Sequence, residues 1–248
     1  MATRQQPVLV TVTGTTPLTE RMVRVTLAGD ALADFAHDGP DQLVRLFLPV
    51  GEEPPPLPVT TEWWPELCAM PETVRPALRN YTVRRFDRAT RELDIDFVLH
   101  GHGEQAGPGS AWAATAAPGD KIGVLSDGAD YAPPAGTEWQ LIIGDEAALP
   151  AVAAILEDPR FPTVALLEVA DEADELPLSS AVTWVHRGDA RRGEAVLAAL
   201  RERELPTGVP YAWVAGESAL ATGVRRHLVN DRGMAKDRIY FCGYWRAG

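Results

Sequence analysis

A short run of residues, RNYTVR at positions 79–84, carries side chains suited to binding a phosphorylated aromatic cofactor. On a β-strand, Arg79 and Tyr81 point to one face, while Asn80 and Thr82 point to the other. A guanidinium group can bind two phosphate oxygens, a tyrosine ring can stack on a flavin, and a threonine hydroxyl can hydrogen-bond a ring nitrogen. The same run also suits a barrel strand with solvent-exposed arginines and a core tyrosine, so alone it does not decide between the two.

A glycine-rich loop at residues 101–110 follows an apolar run that ends at His100. A helix is predicted to begin near Pro108, because proline suits the first helical position, and Ser110 could act as its cap. The exposed backbone N–H groups and the positive dipole end at a helix start suit a pyrophosphate, to which the Ser110 hydroxyl could also donate. His100 by itself is more often a structural hydrogen-bonding residue than a catalyst.

The charges of the chain are unevenly distributed. It has 23 Lys and Arg against 35 Asp and Glu, a net charge of −12 that argues against nonspecific nucleic-acid binding. Three stretches are nevertheless rich in cations: residues 75–91, residues 187–192 and residues 225–246. These clusters are consistent with several anionic ligands, and a solvated surface is the alternative interpretation of each.

Composition argues against several classes of protein. The two cysteines, Cys68 and Cys242, have no metal-ligand spacing, so an iron–sulfur cluster held by this chain alone is not expected. The five histidines form no HExxH signature. No apolar stretch approaches the roughly 18–20 residues that cross a bilayer, and the N-terminal residues lack the features of a signal peptide. We therefore expect a cytoplasmic protein that binds no metal, nucleic acid or membrane.

The first half of the chain is predicted to be β structure. Short runs rich in Val and Thr, separated by turns such as residues 15–18, favour strands. The predicted strands are 7–14, 21–28, 42–48, 79–86, 93–99 and 120–125. A proline-rich loop at 49–76 carries Trp63 and Trp64. About six short strands predict an antiparallel β-barrel over residues 1–132.

From Pro133-Pro134 onward, strands alternate with helices. Strands are predicted at 139–145, 163–169, 182–187, 211–217 and 238–244, and helices at 147–157, 193–203 and 218–230. This alternation, with continuous apolar strands, predicts a parallel sheet covered on both faces. Residues 133–248 are therefore expected to form an α/β domain.

An ordered series of motifs resembles the siderophore-interacting proteins, FAD-dependent ferric-siderophore reductases of the ferredoxin-reductase-like superfamily. The motifs are RxYTxR at 79–84, DFVLHG at 96–101, GPxS at 107–110, WA at 112–113, PGD at 118–120, GDEAALPAVAAILE at 144–157, EVAD at 168–171, WVHR at 184–187, WVAGE at 213–217 and GYWRAG at 243–248. They span nearly the whole chain in one order. The resemblance implies that the barrel binds FAD and that the α/β domain binds NAD(P)H.

Carried over residue by residue, the resemblance gives the FAD contacts. It places Arg79 on a phosphate, Tyr81 against the isoalloxazine and Thr82 near flavin N5. It also places His100 and Gly101 near the flavin or ribityl group. The pyrophosphate contacts would be Gly107, Pro108, Gly109, Ser110 and Trp112. Two features depart from the family pattern, a longer loop at 101–110 and Ala111 in place of a common arginine, so retention of FAD on purification stays open.

The resemblance places the nicotinamide dinucleotide at Gly144, Asp145, Glu146 and Ala147. Arg187, assisted by Arg191 or Arg192, could pair with the 2′-phosphate of NADPH. Glu168 could instead bind a ribose hydroxyl and disfavour that phosphate. These features conflict, and they favour NADPH over NADH only slightly.

The end of the chain is where related reductases keep an aromatic residue beside the flavin. Tyr244 and Trp245 could guard the nicotinamide position there, and core packing of both rings is the alternative. Lys236 or Arg246 would face an anionic ferric complex.

The implied activity is electron transfer from NAD(P)H through FAD to Fe(III) held by a siderophore, with release of Fe(II). One alternative is a flavoprotein reductase that exchanges electrons with a carrier protein such as ferredoxin. Another is a non-enzymatic siderophore-binding protein that keeps the fold without the flavin. The sequence leaves open which siderophore is used and the oligomeric state, for which a monomer is the default expectation.

Overall fold

The computed structural model describes residues 5–51, 54–101, 106–158 and 160–247. Contacts between Cα atoms divide the chain into two compact units, Met1–Ala129 and Asp130–Gly248. Each unit has its own sheet and its own apolar core. Within the described ranges, the helices are all too short or too polar to span a membrane.

The first unit is built on a seven-stranded antiparallel sheet. Its strands are β1 (Val8–Thr19), β2 (Met22–Ala28), β3 (Leu43–Leu48), β4 (Ala77–Thr82), β5 (Arg85–Asp87), β6 (Glu92–Val98) and β7 (Lys121–Gly128). They follow the order β4-β3-β7-β1-β2-β6-β5 across the sheet. The rings of Tyr81 on β4 and Phe97 on β6 lie 4.3 Å apart between centroids. Because four strands separate β4 from β6 in that order, the sheet curls around one apolar core, as the predicted antiparallel barrel requires.

Strand β6 shows how side-chain alternation builds this unit. Its fully buried inward side chains are Leu93, Ile95 and Phe97. The aspartates on the opposite face are also shielded from solvent, because cross-strand cations cover them. Arg24 donates two hydrogen bonds to Asp96, at 2.6 and 2.9 Å, and Arg85 donates one to Asp94 at 2.8 Å. The outer face of β6 is therefore closed by ion pairs.

Three local predictions for this unit are wrong. Residues 15–18 were predicted to form a turn, but strand β1 continues through them to Thr19. Irregularities in its pairing with β2 accommodate these residues, so the turn between the two strands comes after Thr19. The predicted loop 49–76 contains helix α1 (Trp63–Ala69), whose Trp63 ring packs edge-on against Phe47. The predicted strand 79–86 is interrupted, because the Val83 N–H bonds to a carbonyl outside the ladder.

The second unit contains a five-stranded parallel sheet. Its strands are β8 (Trp139–Gly144), β9 (Thr163–Val169), β10 (Thr183–His186), β11 (Pro210–Glu217) and β12 (Ile239–Trp245), in the order β10-β9-β8-β11-β12. The chain moves outward from β8 to β10 and then returns to the other side of β8. Ligands of such sheets bind outside the carboxyl ends of the strands, at the point where the strand order reverses. We call the side of the sheet formed by these carboxyl ends the carboxyl edge.

Four more α-helices follow α1 along the chain. Helix α2 (Pro108–Ala113) belongs to the first unit, and α3 (Leu149–Glu157), α4 (Glu194–Glu202) and α5 (Ser218–Asn230) belong to the second. The helix predicted from Ala147 starts as a 3-10 turn, Glu146–Ala148, and becomes α-helical only at Leu149. The Asp145 carboxylate accepts the Ala147 N–H and so shapes this turn.

Many arginines of the two longer basic stretches, residues 75–91 and 225–246, bind other groups of the protein. Solvated surface charge therefore accounts for only some of the cations in these stretches. These arginines bind loop carbonyls, carboxylates or aromatic rings within their own unit. In residues 75–91 these are Arg75, Arg85, Arg88 and Arg91. In residues 225–246 they are Arg225, Arg232 and Arg238.

Helix α4 depends on a carboxylate supplied by strand β9. Glu168 is fully buried, and its two oxygens accept the Gly193 N–H at 2.8 Å and the Val196 N–H at 3.1 Å. Its charge is balanced by Arg187, whose Nη1 lies 3.5 Å away. The first backbone N–H groups of a helix have no partner within the helix. Glu168 therefore caps α4 from a neighbouring strand.

We predict that Glu168→Ala lowers the free energy of unfolding by about 3–5 kcal/mol, because it leaves two buried N–H groups at the start of α4 without an acceptor and removes one of the two carboxylates beside Arg187. Urea denaturation followed by circular dichroism measures the change. The exposed Glu172 provides the matched control, Glu172→Ala, for which a change within about 0.5 kcal/mol is expected. A loss no larger than that of the control would contradict the capping role.

Candidate functional site

The residues predicted to bind FAD meet where β4, the end of β6 and the start of α2 come together. The Tyr81 ring packs against Phe97, and its hydroxyl lies against the backbone of Gly109. A Cβ atom at Gly109 would collide with that hydroxyl and would lie 3.0 Å from Tyr81 Cζ. At Gly107, a Cβ atom would lie 3.1 Å from Cε1 of the His100 ring. Both glycines therefore permit contacts that a side chain would prevent.

Ser110 ties the end of β6 to α2. Its hydroxyl accepts the His100 N–H at 2.9 Å and donates to the His100 carbonyl at 3.1 Å. The predicted cap at Ser110 is wrong, because the residue lies inside α2 and Gly107 occupies the capping position without a side-chain hydrogen bond. Its contact with pyrophosphate stays a prediction, as does that of Pro108, the first residue of the helix.

The remaining predicted FAD residues differ in exposure. Arg79 is exposed, and its Nη1 donates to the neighbouring Leu78 carbonyl at 2.7 Å. Thr82 is buried. Burial raises the pKa of Tyr81 to about 12, although the charge of Arg79 opposes the shift, so the phenol is neutral at physiological pH.

Two further residues predicted to bind FAD, Gly101 and Trp112, lie at the two ends of the glycine-rich loop. Trp112 packs on Phe97 at 5.7 Å between ring centroids, and its buried indole nitrogen has no hydrogen-bond acceptor among the described residues. Gly101 adopts a φ of 69°, a conformation that favours glycine. Residues 102–105 of the predicted loop lie outside the described residues.

These features fit a flavin nucleotide. A bound dinucleotide needs a cation for its phosphates, an aromatic neighbour and bare backbone that it can approach closely. Arg79 supplies the exposed cation and Tyr81 the ring, while Gly107 and Gly109 let the start of α2 lie directly against the His100 and Tyr81 rings. The individual contacts with FAD remain predictions.

At the carboxyl edge, Asp145 is the most constrained of the predicted residues. It is fully buried and accepts three N–H groups: Ala147 N at 2.9 Å, Glu217 N at 2.7 Å and Trp245 Nε1 at 3.1 Å. Burial, together with the charge of Glu146, raises its pKa to about 6 despite these donors. Asp145 therefore fastens the ends of β11 and β12 to the loop that follows β8.

Two glycines make room for this arrangement. A Cβ atom at Gly144 would lie 2.7 Å from Ala148 Cβ. At Gly216, where φ is 140°, a Cβ atom would lie 2.7 Å from Asp145 Cγ. Residues 144–146 at the end of β8 and residues 216–217 at the end of β11 therefore pack closely against each other, at the point where the strand order reverses.

Glu146 gathers the arginines that were predicted to bind a 2′-phosphate. It accepts hydrogen bonds from Arg187 Nη2 and Arg192 Nη1, both at 2.9 Å. The Arg187 side chain is only 8% exposed and lies between Glu146 and Glu168, so its predicted phosphate contact would compete with two carboxylates. The ribose contact proposed for Glu168 is wrong for this structure, because that side chain is fully buried and both its oxygens are bound.

The residues at the end of β12 are held by side chains that the sequence did not single out. The Ser218 hydroxyl donates to the Trp245 carbonyl at 2.8 Å, and Glu217 accepts the Ala247 N–H at 3.3 Å. Arg192 lies over the Trp245 ring, 4.6 Å from its centroid. Tyr244 packs edge-on against Trp213. Glu217 is the last residue of the motif WVAGE. An acidic residue at the end of a predicted strand is the sequence feature that could have identified it.

Lys236 and Arg246 do not belong to one site. Both are exposed, but Lys236 precedes β12 and Arg246 follows it. A seven-residue strand spans about 20 Å. Lys236 therefore lies at the opposite edge of the sheet from Asp145, and only Arg246 is at the carboxyl edge.

Comparison with known proteins relates both units to one group. Residues 11–131 match a family model described as siderophore-interacting FAD-binding domain, and residues 137–248 match one described as siderophore-interacting protein. The ferric vibriobactin reductase of Vibrio cholerae is 33% identical over 246 residues, covering 93% of this chain and 86% of its own. An NADPH-dependent ferric-chelate reductase of Escherichia coli is 30% identical over 233 residues, covering 90% and 87%. The crystal structure of a siderophore utilization protein from T. fusca is 36% identical with a TM-score of 0.83, covering 98% and 94%.

We predict that Gly109→Ala weakens FAD binding about tenfold, because the new methyl group must displace the packed Tyr81 ring or helix α2. Titration of the apoprotein with FAD, followed by flavin fluorescence, measures the dissociation constant. Adding Tyr81→Phe removes the colliding hydroxyl and should restore part of the affinity. The matched control is Gly14→Ala, because a methyl group at Gly14 would enter open space. Equal losses of affinity at both glycines would refute a specific role for the packing of Tyr81 against Gly109.

We predict that the Asp145 carboxyl titrates with a midpoint of about 6, measured by side-chain carbon NMR. Because this folded-state pKa lies above the ordinary value of 3.8, the folded protein takes up the proton first as the pH falls. The contribution of Asp145 to the free energy of unfolding should therefore decrease as the pH rises from about 4 to about 6. The difference in unfolding free energy between the wild type and Asp145→Asn follows this change, and a midpoint below 4 would contradict it.

Proposed function

This chain belongs to the siderophore-interacting protein family, and on that premise we propose that it is an FAD-dependent reductase that transfers electrons from NAD(P)H to ferric siderophores. The observation that carries the proposal is the convergence of Tyr81, His100, Gly107, Gly109 and Ser110 at one place in the first unit. The carboxyl edge of the second unit supplies the position for a nucleotide. The relatives named as ferric-chelate and ferric vibriobactin reductases support the same activity.

Bound FAD would supply hydride acceptance from NAD(P)H and one-electron transfer to Fe(III), which siderophores hold far more tightly than Fe(II). The protein supplies position and charge. Arg79 would bind a phosphate with its exposed guanidinium, while Gly107 and Gly109 allow the His100 and Tyr81 rings to pack against the backbone at the start of α2. Tyr81, neutral and fixed by Phe97, offers an aromatic surface, and Thr82 provides a hydroxyl next to it along β4. No side chain is required to act as a nucleophile.

At the carboxyl edge, Gly144–Ala147 forms the loop that receives NAD(P)H. Asp145 orders this loop through three N–H donors and holds the Trp245 indole. Trp245 and Tyr244 close the end of β12, and Arg246 offers an exposed cation to an anionic iron complex. Lys236 has no place in this assignment, because it lies at the other edge of the sheet.

Three finer assignments belong to the same proposal. FAD is assigned to residues 1–132 and NAD(P)H to residues 133–248, and the enzyme acts as a cytoplasmic monomer, as the family resemblance implies. The electron acceptor is a ferric siderophore and not a ferredoxin, because two relatives that each cover at least 90% of this chain are named as a ferric vibriobactin reductase and a ferric-chelate reductase.

The test is the visible spectrum of the purified protein, with FAD added back if it is colourless. Anaerobic NAD(P)H should bleach the flavin, and a ferric tris-hydroxamate or tris-catecholate should restore its colour while a ferrous chelator traps Fe(II). Protein that cannot bind FAD would leave the non-enzymatic alternative. Flavin that is reduced by NAD(P)H but reoxidised only by ferredoxin would favour the electron-carrier alternative.

A further inference from the structure

Three aromatic side chains contact one another in a row along strands β11 and β12. The fully buried Trp213 ring stacks on Tyr240 at 6.0 Å between ring centroids, with 21° between the ring planes. It also meets the Tyr244 ring edge-on at 6.4 Å. We call Tyr244, Trp213 and Tyr240 the aromatic row. Tyr240 lies near the start of β12 and Tyr244 near its end, so the aromatic row runs from the carboxyl edge back to the start of β12.

The aromatic row consists of residue types that lose a single electron readily. Tyrosine and tryptophan rings are far easier to oxidise than aliphatic side chains or phenylalanine. Rings in contact can exchange an electron over so short a distance, so an oxidised ring can take an electron from its neighbour. Cys242, which is also oxidisable, lies between the two tyrosines on the same face of β12. An electron removed at one end of the aromatic row can therefore be supplied from the other end.

Tyr240 has a proton acceptor at the surface. Its hydroxyl donates a hydrogen bond to Asp130 Oδ2 at 3.1 Å, and Asp130 is exposed. Burial is the largest of the effects that raise the pKa of Tyr240 above its ordinary value of 10.0, and the nearby Cys242 adds to it, so the phenol keeps its proton at physiological pH. A neutral phenol is oxidised more easily when a carboxylate within hydrogen-bond reach takes its proton. Tyr240 is therefore the favoured end of the aromatic row for a missing electron.

The opposite end of the aromatic row lies at the edge of the sheet where the proposed function releases iron. Tyr244 precedes Trp245 and the exposed Arg246 at the carboxyl edge. Fe(II) reduces hydrogen peroxide to hydroxide and a hydroxyl radical and becomes Fe(III). A ferric reductase therefore produces one half of an oxidising mixture beside its own aromatic residues. Oxidation of Trp245 would destroy the indole ring that Asp145 holds.

We propose that the aromatic row carries oxidising equivalents from the carboxyl edge to Tyr240, where a small thiol removes them, and so protects the iron-releasing site. The inference rests on the proposed function, which supplies the Fe(II). A hydroxyl radical takes a hydrogen atom from the Tyr244 phenol and becomes water. Trp213 gives an electron, and solvent a proton, to the Tyr244 radical. Tyr240 then gives an electron to the oxidised Trp213 and its proton to Asp130.

A thiol closes the cycle. It gives a hydrogen atom to the Tyr240 radical and becomes a thiyl radical, while Asp130 returns its proton to solvent. This proton replaces the one that solvent gave to Tyr244. The sum of the steps is the reduction of a hydroxyl radical to water by a thiol, so no residue of the protein is consumed.

The first test detects the radical without relying on the flavin. The full chain is mixed with Fe(II)–EDTA and hydrogen peroxide, frozen rapidly and measured by electron paramagnetic resonance. We expect a tyrosyl signal that falls several-fold in Tyr240→Phe, which keeps the stacked ring, and in Asp130→Asn, which cannot take the proton. Tyr131→Phe is the matched control, because the Tyr131 hydroxyl donates to the amide oxygen of Gln140, which is not a base. An unchanged signal in Tyr240→Phe, or an equal loss in Tyr131→Phe, would overturn the proposal.

Two further variants locate the route. Trp213→Phe keeps a ring in the buried position but removes the oxidisable indole, so the Tyr240 radical should be lost while the circular dichroism spectrum stays that of the wild type. Cys242→Ser should leave the tyrosyl signal unchanged, because the thiol is not part of the route. Asp130 is exposed, so Asp130→Asn tests the proposal even if Trp213→Phe unfolds the protein. A full signal in folded Trp213→Phe, or a loss in Cys242→Ser as large as in Tyr240→Phe, would overturn the proposal.

Turnover measures the protection and separates this inference from the proposed function. With NAD(P)H, a ferric siderophore, hydrogen peroxide and glutathione, Tyr240→Phe should start at the wild-type rate of Fe(II) release. It should then lose activity several-fold faster, with oxidised Trp245 found by peptide mass spectrometry. Equal rates of inactivation would overturn the protective role. A protein that forms the Tyr240 radical but releases no Fe(II) would reject the reductase assignment and leave the radical route standing, whereas a working reductase without the radical would reject this inference alone.

Discussion

A line of alternating charges, Glu168–Arg187–Glu146–Arg192, determines the shape of the second unit's carboxyl edge, and its first three members are largely buried. The four side chains come from β9, from the residues after β10 and β8, and from the loop before α4. The buried Glu168 carboxylate requires a compensating cation, which Arg187 provides. This requirement fixes the position of α4 and the direction of the Arg192 side chain. It also explains why the Glu168 carboxylate faces the interior of the unit.

In the first unit, the residues of the candidate cofactor site are held in position without buried charges. Its candidate cofactor site is held by shape, since Tyr81 reaches the α2 backbone only because Gly109 has no side chain, and by the Ser110 hydroxyl, which joins α2 to the end of β6. The cations of this unit mostly serve its outer face and its loops, as Arg24 and Arg85 do on β6. Ion pairs therefore position the candidate site of the second unit, whereas close packing of a ring against a glycine backbone positions that of the first unit.

Much of this fold could be predicted from the sequence because its elements are locally encoded. Strand β9 and helix α5 have the predicted bounds, Thr163–Val169 and Ser218–Asn230, since a continuous apolar run and a helical periodicity mark them. Helix α1 was missed because it forms by packing Trp63 onto Phe47, a residue of a distant strand. The partners of Arg187 and Glu168 could not be predicted either, because both depend on which strand ends become neighbours. Motif resemblance placed these residues at a site but could not tell which of them face inward.

The contact between Gly216 and Asp145 has a consequence for how this protein can change over evolutionary time. Any side chain at position 216 would occupy the space of the Asp145 carboxylate, in a backbone conformation that favours glycine. The effect of a substitution at either position therefore depends on the residue present at the other. Such epistasis keeps both positions from drifting independently, even though only one of them is a candidate to order the coenzyme loop. A search for altered variants at residue 145 would accordingly need libraries that vary both positions together.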